Sequence, residues 1–338
     1  DLEGQMHALR EIRHAHVLKV AAADVSGLID TVQVGLRLSQ IAEIILTNGV
    51  QCAQLSLQAK HGAPTAIGAG ATAEFGIVGY GKLGSKELGY NSDLDIVFLY
   101  AGAEPQGMTA GGPRSIANAQ YYGRLGQRIV HILTTRTSAG SAYDLDMRLR
   151  PSGRAGALVT SVEAYRDYQL NKAWTWEHQA LVRARMVSGP APLHRAFEDL
   201  RREVLCLPRE AGALRQEIAS MRHKMASAND QSTDTRFDLK LGRGGIVDIE
   251  FIVQYYVLRW AHDYPDLTIP RNNLDLLTRL GELELIPPPE QRELASAYSQ
   301  YLSIDHRCKL AEQPSVIADP DLKPVRDTVE GYWRQIFS

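Results

Sequence analysis

The segment Gly79-Tyr-Gly-Lys-Leu-Gly-Ser-Lys-Glu-Leu-Gly-Tyr-Asn-Ser-Asp-Leu-Asp-Ile-Val-Phe-Leu-Tyr100 joins two short apolar runs through a glycine-rich turn. The runs, Phe75 to Tyr80 and Ile96 to Tyr100, have the length and character of buried strands. Asp93 and Asp95 open the second strand. Residues two apart on a strand point to one face, so these carboxylates project side by side at the edge of a buried sheet. Adjacent like charges raise each other's pKa unless a cation sits between them. A hard cation such as Mg²⁺ takes oxygen ligands, commonly a couple of carboxylates with phosphates completing the shell. Gly84 and Ser85 lie just upstream, where backbone amides and a hydroxyl are expected to hold a triphosphate. Together these residues predict nucleotidyl-transfer chemistry. An isolated Asp-x-Asp is as readily a solvated strand end, so the prediction needs a third acid.

Tyr143-Asp-Leu-Asp-Met-Arg-Leu-Arg-Pro-Ser-Gly153 supplies it. Polar and apolar residues alternate from Asp144 to Arg150, the period of a half-buried strand. Leu145, Met147 and Leu149 are expected in the core. Asp144, Asp146, Arg148 and Arg150 then share the opposite face. Asp146 is the candidate that completes a metal cage with Asp93 and Asp95. Arg148 and Arg150 offer planar forks for phosphate oxygens. The plainer alternative is an exposed strand with cross-strand ion pairs. Lys82, Ser92 and Arg154 are secondary candidates for phosphate binding or loop bracing.

The rest of the chain is mostly helical by its spacing. Leu9, Ile12, His16 and Val20 fall on one face, and Val34, Leu38, Ile41 and Ile45 on another. His61 to Thr72 is small and glycine-rich, the composition of a linker, and Ala101 to Pro113 reads as a soft loop. A helix is expected from Ile116 to Arg136, with Tyr122, Leu125, Ile129 and Ile132 inward. Ser161 is a capping signal. Trp174 to Arg185 is expected to be helical, with Trp176, Ala180 and Ala184 on its apolar side. Helices then continue to the end, broken near Pro208, at Leu241 to Gly245 and at Pro287 to Pro289. Ile246 to Trp260 is a core helix whose Asp248 and Glu250 meet the positive end of its dipole.

With 338 residues the chain has room for two or three domains, and 44% hydrophobic with 22% charged residues is an ordinary globular composition. A net charge of −2 leaves no global basic field, which weighs against a nucleic-acid polymerase. Cys52, Cys206 and Cys308 are widely spaced and odd in number, fitting neither a disulfide framework nor a metal knuckle, and a reducing cytoplasm is expected. No apolar run approaches a membrane span and no targeting segment is evident. The chain starts at Asp1 inside a helical pattern, so a piece of a longer polypeptide is expected.

Gly-Ser followed by Asp-x-Asp on a strand resembles the DNA-polymerase-β-like nucleotidyltransferase superfamily. More specifically, four segments resemble the carboxyl-terminal adenylyltransferase half of the bacterial glutamine synthetase adenylyltransferase/adenylyl-removing enzymes. They are Gly79–Tyr100, Asp144–Thr160 with Ala164–Gln169, Ala173–Arg185 and Phe237–Leu258. Ser85 stands where many relatives have a second glycine, a substitution the wider superfamily accepts. The resemblance implies an α+β fold: a polymerase-β-like nucleotidyltransferase sheet with flanking helices, followed by an all-α helical bundle. It implies an N-terminal helical segment over 1–62, a catalytic domain over 63–190 and a bundle for substrate docking and regulation over 191–338. The implied activity is transfer of AMP from ATP to a tyrosine of glutamine synthetase, releasing pyrophosphate. Asp93, Asp95 and Asp146 would act with two Mg²⁺ ions, and Gly84, Ser85, Ser92, Lys82, Arg148 and Arg150 would hold the nucleotide phosphates. Implied partners are glutamine synthetase as substrate and, as regulators, glutamine and the PII signalling protein, with no nucleic acid and no membrane. Three alternatives stay open: the phosphorolytic adenylyl-removing half, a PII uridylyltransferase-like enzyme, and an inactive regulatory module.

Overall fold

In the computed structural model, residues 2–68, 72–104, 106–318 and 320–338 are described. Of the expected linker at 61–72, residues 69–71 lie outside this set, as does Pro105 of the expected loop at 101–113. Two helices, α1 (Leu2–Val25) and α2 (Thr31–His61), open the chain and fold back on one another. Asp30 caps α2 by accepting from the Gln33 amide at 2.8 Å. The inner face of α1 departs from expectation: Ile12 and His16 are exposed, while Met6, Leu9, Arg10 and Val20 are buried. Arg10 joins that inner face because its guanidinium donates to the carbonyls of Ile132 (2.8 Å) and Gly140 (2.8 Å).

The glycine-rich turn connects strands as its sequence requires. β1 (Gly62–Ala63) pairs with β4 (Ala110–Gly111), so the expected soft loop is pinned back on the end of α2. β2 (Glu74–Gly79) leads through Tyr80 into the single turn α3 (Gly81–Gly84) and on to β3 (Leu94–Ala101). β2 and β3 are antiparallel, with Val78 opposite Val97. α4 (Asn118–Thr134) follows, with Tyr122, Leu125, Ile129 and Ile132 buried as expected.

β5 (Leu145–Asp146) then runs parallel to the start of β3, and β6 (Val159–Ser161) runs parallel to its end. The alternation from Asp144 to Arg150 therefore yields only a two-residue strand. β3 passes its pairing edge from one partner to the other, and the chain turns away after Met147. Ser161 caps α5 (Val162–Asn171), accepting from the Ala164 amide at 3.1 Å. α6 (Thr175–Val182) stops three residues earlier than its spacing predicts, and Arg185–Ser188 forms β7 on the outer edge of β2. The buried residues of α6 are largely polar: Glu177, His178 and Gln179, each hydrogen-bonded, with Trp176 and Ala180 only partly covered.

Side-chain alternation splits the core between the two faces of the sheet. Phe75, Ile77, Ile96 and Phe98 pack with α1, α2 and α4. Val78, Tyr80, Val97 and Leu99 pack with α5 to α7 and the C-terminal helices. Those are α7 (Ala191–Leu205), α8 (Ala211–Asn229), α9 (Ile246–Trp260), α10 (Asn273–Glu282), α11 (Pro288–Leu310) and α12 (Lys323–Phe337). α9 is central, with 12 buried residues and neighbours α6, α8, α10, α11 and α12. The C-terminal region is not wholly helical: β8 (Phe237–Asp238) pairs with β9 (Val316–Ile317) as a short ribbon. No described helix is long and apolar enough to cross a membrane, and the three cysteines are free thiols.

Candidate active site

Parity along β3 decides where the acids face. Asp93 and Asp95 head the row that continues as Val97 and Leu99, the row buried against the C-terminal helices. The candidate site therefore lies between the sheet and the helical region, in a cleft of about 1040 Å³ lined by Asp93, Asp95, Ser92, Gly81 and Lys82 on one side. The other side is formed by α8, the β8–β9 ribbon, the start of α9 and α11. Asp95 and Asp146 are direct partners in the parallel β3–β5 register, which puts their side chains on one face. Asp95 is half-buried and its carboxyl is pushed up to about 6, first by burial and then by the charges of Asp93 and Asp146. Arg183 and Lys240 pull in the opposite direction.

The residues of the turn divide into two groups. Gly81 has φ +51°, and a Cβ there would sit 2.7 Å from an Asp95 carboxylate oxygen. Only glycine lets the turn pass so close to that acid. Gly84 and Ser85, expected to face the triphosphate, are instead buried. A Cβ at Gly84 would meet the Arg183 carbonyl at 1.9 Å, and Ser85 spends its hydroxyl on the Gly81 carbonyl at 3.0 Å. Both residues shape the turn from beneath, leaving Gly81 and Lys82 at the cleft.

The candidate cations are already engaged. Lys82 pairs with Asp305 of α11 at 3.0 Å, and Asp305 also accepts from the Ser315 hydroxyl at 2.6 Å. Arg148 is highly exposed, lines the cleft and grips Asp146 through its backbone amide (2.9 Å) and guanidinium (Nε to Oδ1, 3.0 Å). Those bonds outweigh burial and hold the Asp146 carboxyl below its ordinary range. Arg150 does not line the cleft: it braces the turn after β5 by donating to the carbonyls of Met147 (2.8 Å) and Arg154 (3.2 Å). Ser92 lines the cleft, half-buried.

Sequence reasoning missed a buried group beneath the acids. Arg183, at the end of α6, pairs with Glu250 of α9 at 2.5 Å and lies 4.0 Å from Glu87. Glu87 in turn accepts from the Asn273 side-chain amide at 3.0 Å. Glu250 therefore serves a buried ion pair rather than the helix dipole. Asp248 accepts from the Gly244 amide at 2.6 Å, just ahead of α9, and from Arg222. The only local signal for Arg183 was its place at a helix end, and its partners lie 67 and 96 positions away (250 − 183 and 183 − 87).

Among the described residues no three His, Cys, Asp or Glu side chains close on a single metal position, and Asp146 is turned onto Arg148. The donor chemistry nevertheless suits a hard divalent cation: an oxygen-only set in which Asp95 is disfavoured as an anion by two neighbouring carboxylates.

Residues 1–200 match the family model described as glutamate-ammonia ligase adenylyltransferase, and residues 212–315 match that described as GlnD PII-uridylyltransferase. The chain is 44% identical over 338 residues to the bifunctional glutamine synthetase adenylyltransferase/adenylyl-removing enzyme of Thioalkalivibrio sulfidiphilus (strain HL-EbGR7). That similarity takes in 99% of this chain and 35% of the relative, so the chain spans about a third of that protein's length.

Proposed function

This chain belongs to the glutamate-ammonia ligase adenylyltransferase family, and we propose that it transfers AMP from ATP to a tyrosine hydroxyl of glutamine synthetase, releasing pyrophosphate. The observation that carries the reading is the registry of Asp95 with Asp146, beside Asp93, at the mouth of a cleft large enough for a nucleotide. In this reading 63–190 is the catalytic domain, braced by the helices of 1–62. The match of residues 212–315 to a PII-uridylyltransferase model supports 191–338 as the docking and regulatory part, answering to glutamine and PII. The free cysteines suit a cytoplasmic setting.

Asp93, Asp95 and Asp146 would hold two Mg²⁺ ions. Bound there, the metal supplies charge neutralisation at the phosphates and makes the attacking hydroxyl more acidic. The chain's own residues do the rest. Asp93 and Asp95 would hold the metal beneath the α-phosphate at the start of β3. The tyrosine oxygen forms a bond to the α-phosphorus as the α–β bridging bond breaks, pyrophosphate leaves, and the phenolic proton passes to Asp146. Asp146 is a poor base while Arg148 grips it. Arg148, exposed and on the cleft, releases it by swinging to the phosphates. Proton acceptance and leaving-group neutralisation are thereby linked through one side chain.

The test supplies purified glutamine synthetase with α-labelled ATP and Mg²⁺, then repeats it with the metal chelated. Metal-dependent labelling of a tyrosine is the expected result. Phosphate with adenylylated glutamine synthetase, and UTP with PII, serve as parallel arms. Activity in either of those arms alone would overturn the assignment.

A further inference from the structure

Five cations line the cleft: Lys82, Arg148, Arg183, Lys240 and Lys309. Three are already neutralised, Lys82 by Asp305, Arg148 by Asp146 and Arg183 by Glu250. Lys240 and Lys309 differ. Neither ammonium makes an ion pair or hydrogen bond among the described residues. The acids near them are hydrogen-bonded elsewhere: Asp238 accepts the backbone amides of Lys240 (2.9 Å) and Leu241 (3.0 Å), and Asp305 accepts from Lys82 and Ser315, with Lys309 reaching it only through its charge.

Both lysines are held on firm backbone. Lys240 leaves the β8–β9 ribbon, and its carbonyl accepts from the Val247 amide at 3.1 Å, which fixes it to the first turn of α9. Lys309 lies on α11, one turn beyond Asp305. An exposed Lys240 whose charge reaches Asp95 places positive charge opposite the acids rather than among them. A paired cation must give up its carboxylate before it meets a phosphate. An unpaired ammonium gives up only water, and its three donors need no fixed plane.

We propose that Lys240 and Lys309 bind the β- and γ-phosphates of the nucleotide, so that the triphosphate bridges the acids of the sheet and the lysines of the helical region. The assignment rests on the nucleotidyl-transfer reading of this cleft. In that reading the α-phosphorus lies over Asp93 and Asp95, and the two outer phosphates point away from the acids toward the opposite wall. The same lysines then hold the departing pyrophosphate. The helical region becomes part of the nucleotide site itself, which gives any partner docking there a direct hold on nucleotide affinity.

The test is calorimetric titration of the whole 338-residue chain with tripolyphosphate and separately with AMP, Mg²⁺ present throughout. The variants are Lys240→Met, Lys309→Met, the pair together, and Lys172→Met as a surface-charge control. Each single change is expected to weaken tripolyphosphate binding about tenfold and the pair about a hundredfold, the scale of one and two charged hydrogen bonds. AMP affinity is expected to stay within about threefold, and Lys172→Met to match wild type. Tripolyphosphate affinity unchanged in the pair, an equal loss of AMP affinity, or no tripolyphosphate binding by wild type would overturn the assignment. If the pair unfolds, the single variants decide by the same comparison. Wild type that binds tripolyphosphate through these lysines yet adenylylates nothing would sink the proposed function and leave the phosphate site standing.

Discussion

Both walls of the cleft mix acids and cations, and they hold them in different ways. On the sheet wall, Asp93, Asp95 and Asp146 are crowded by strand register, and Asp95 is driven toward its neutral form. On the helical wall, the ammonium groups of Lys240 and Lys309 make no ion pair or hydrogen bond among the described residues, while Lys82, Arg148 and Arg183 are each matched to a carboxylate. Asp93 and Asp95 are brought together by alternation within one strand, whereas Lys240 and Lys309 come from elements more than a hundred positions further along the chain. Asp95, crowded by acids, and two ammonium groups without ion pairs face one cleft. It gains from a ligand that is itself cation-bound at one end and anionic at the other.

Changing the sheet wall is expected to have the largest effect. Asp95→Asn keeps shape and removes one acid, and transfer of labelled AMP should fall about a thousandfold with little change in melting temperature. Next comes the strut between the walls. Arg183→Met leaves Glu250 and Glu87 buried without their cation, so urea unfolding should show a loss of about 3–5 kcal/mol. If that variant were as stable as wild type, the two walls would not be joined through Arg183.

The smallest effect expected is at the link from α11. Asp305→Asn should cost about 1–2 kcal/mol, because Lys82 loses a well-buried partner. Burial alone would raise the Asp305 carboxyl, but Lys82, Ser315 and, less strongly, the charge of Lys309 outweigh it and hold it below the ordinary range. A carboxyl depressed in the folded state stabilises above its unfolded pKa of about 3.9, and that contribution fades as pH falls through the folded value. The gap between wild type and Asp305→Asn should therefore be constant from neutral pH to about 5 and close below about 4. A gap that widened on acidification would reverse the sign and contradict the pairing.

The acids were legible because their placement is local. A buried strand has one choice of face, so Leu94, Ile96 and Phe98 going one way sends Asp93, Asp95 and Val97 the other. The third acid was legible for the same reason, but the strand that carries it was overestimated. Alternation through Arg150 shows what a strand would need without showing whether an edge is available. β3 offers only Leu94 and Asp95 before Val159–Ser161 takes the remainder of its edge. β7 was hidden for the opposite reason: Arg185–Ser188 has two adjacent apolar residues, no alternation, and a helical pattern running into it. Lys82 read as a phosphate ligand because Asp305 lies 223 positions away, where nothing local announces it. Gly84 and Ser85 read as phosphate ligands, yet Gly84 accommodates the close approach of the Arg183 carbonyl and Ser85 bonds the Gly81 carbonyl, neither of which local sequence announces.

The point most in need of test is Asp146, which registers with Asp95 yet is gripped by Arg148. The decisive measurement is the rate of AMP transfer from α-labelled ATP to glutamine synthetase by Asp146→Asn, alongside Asp95→Asn, at saturating Mg²⁺. If three carboxylates act together, the two variants should lose activity to a similar degree, about a thousandfold. A near-normal rate for Asp146→Asn would leave Asp146 as a structural partner of Arg148 and contradict the three-acid site.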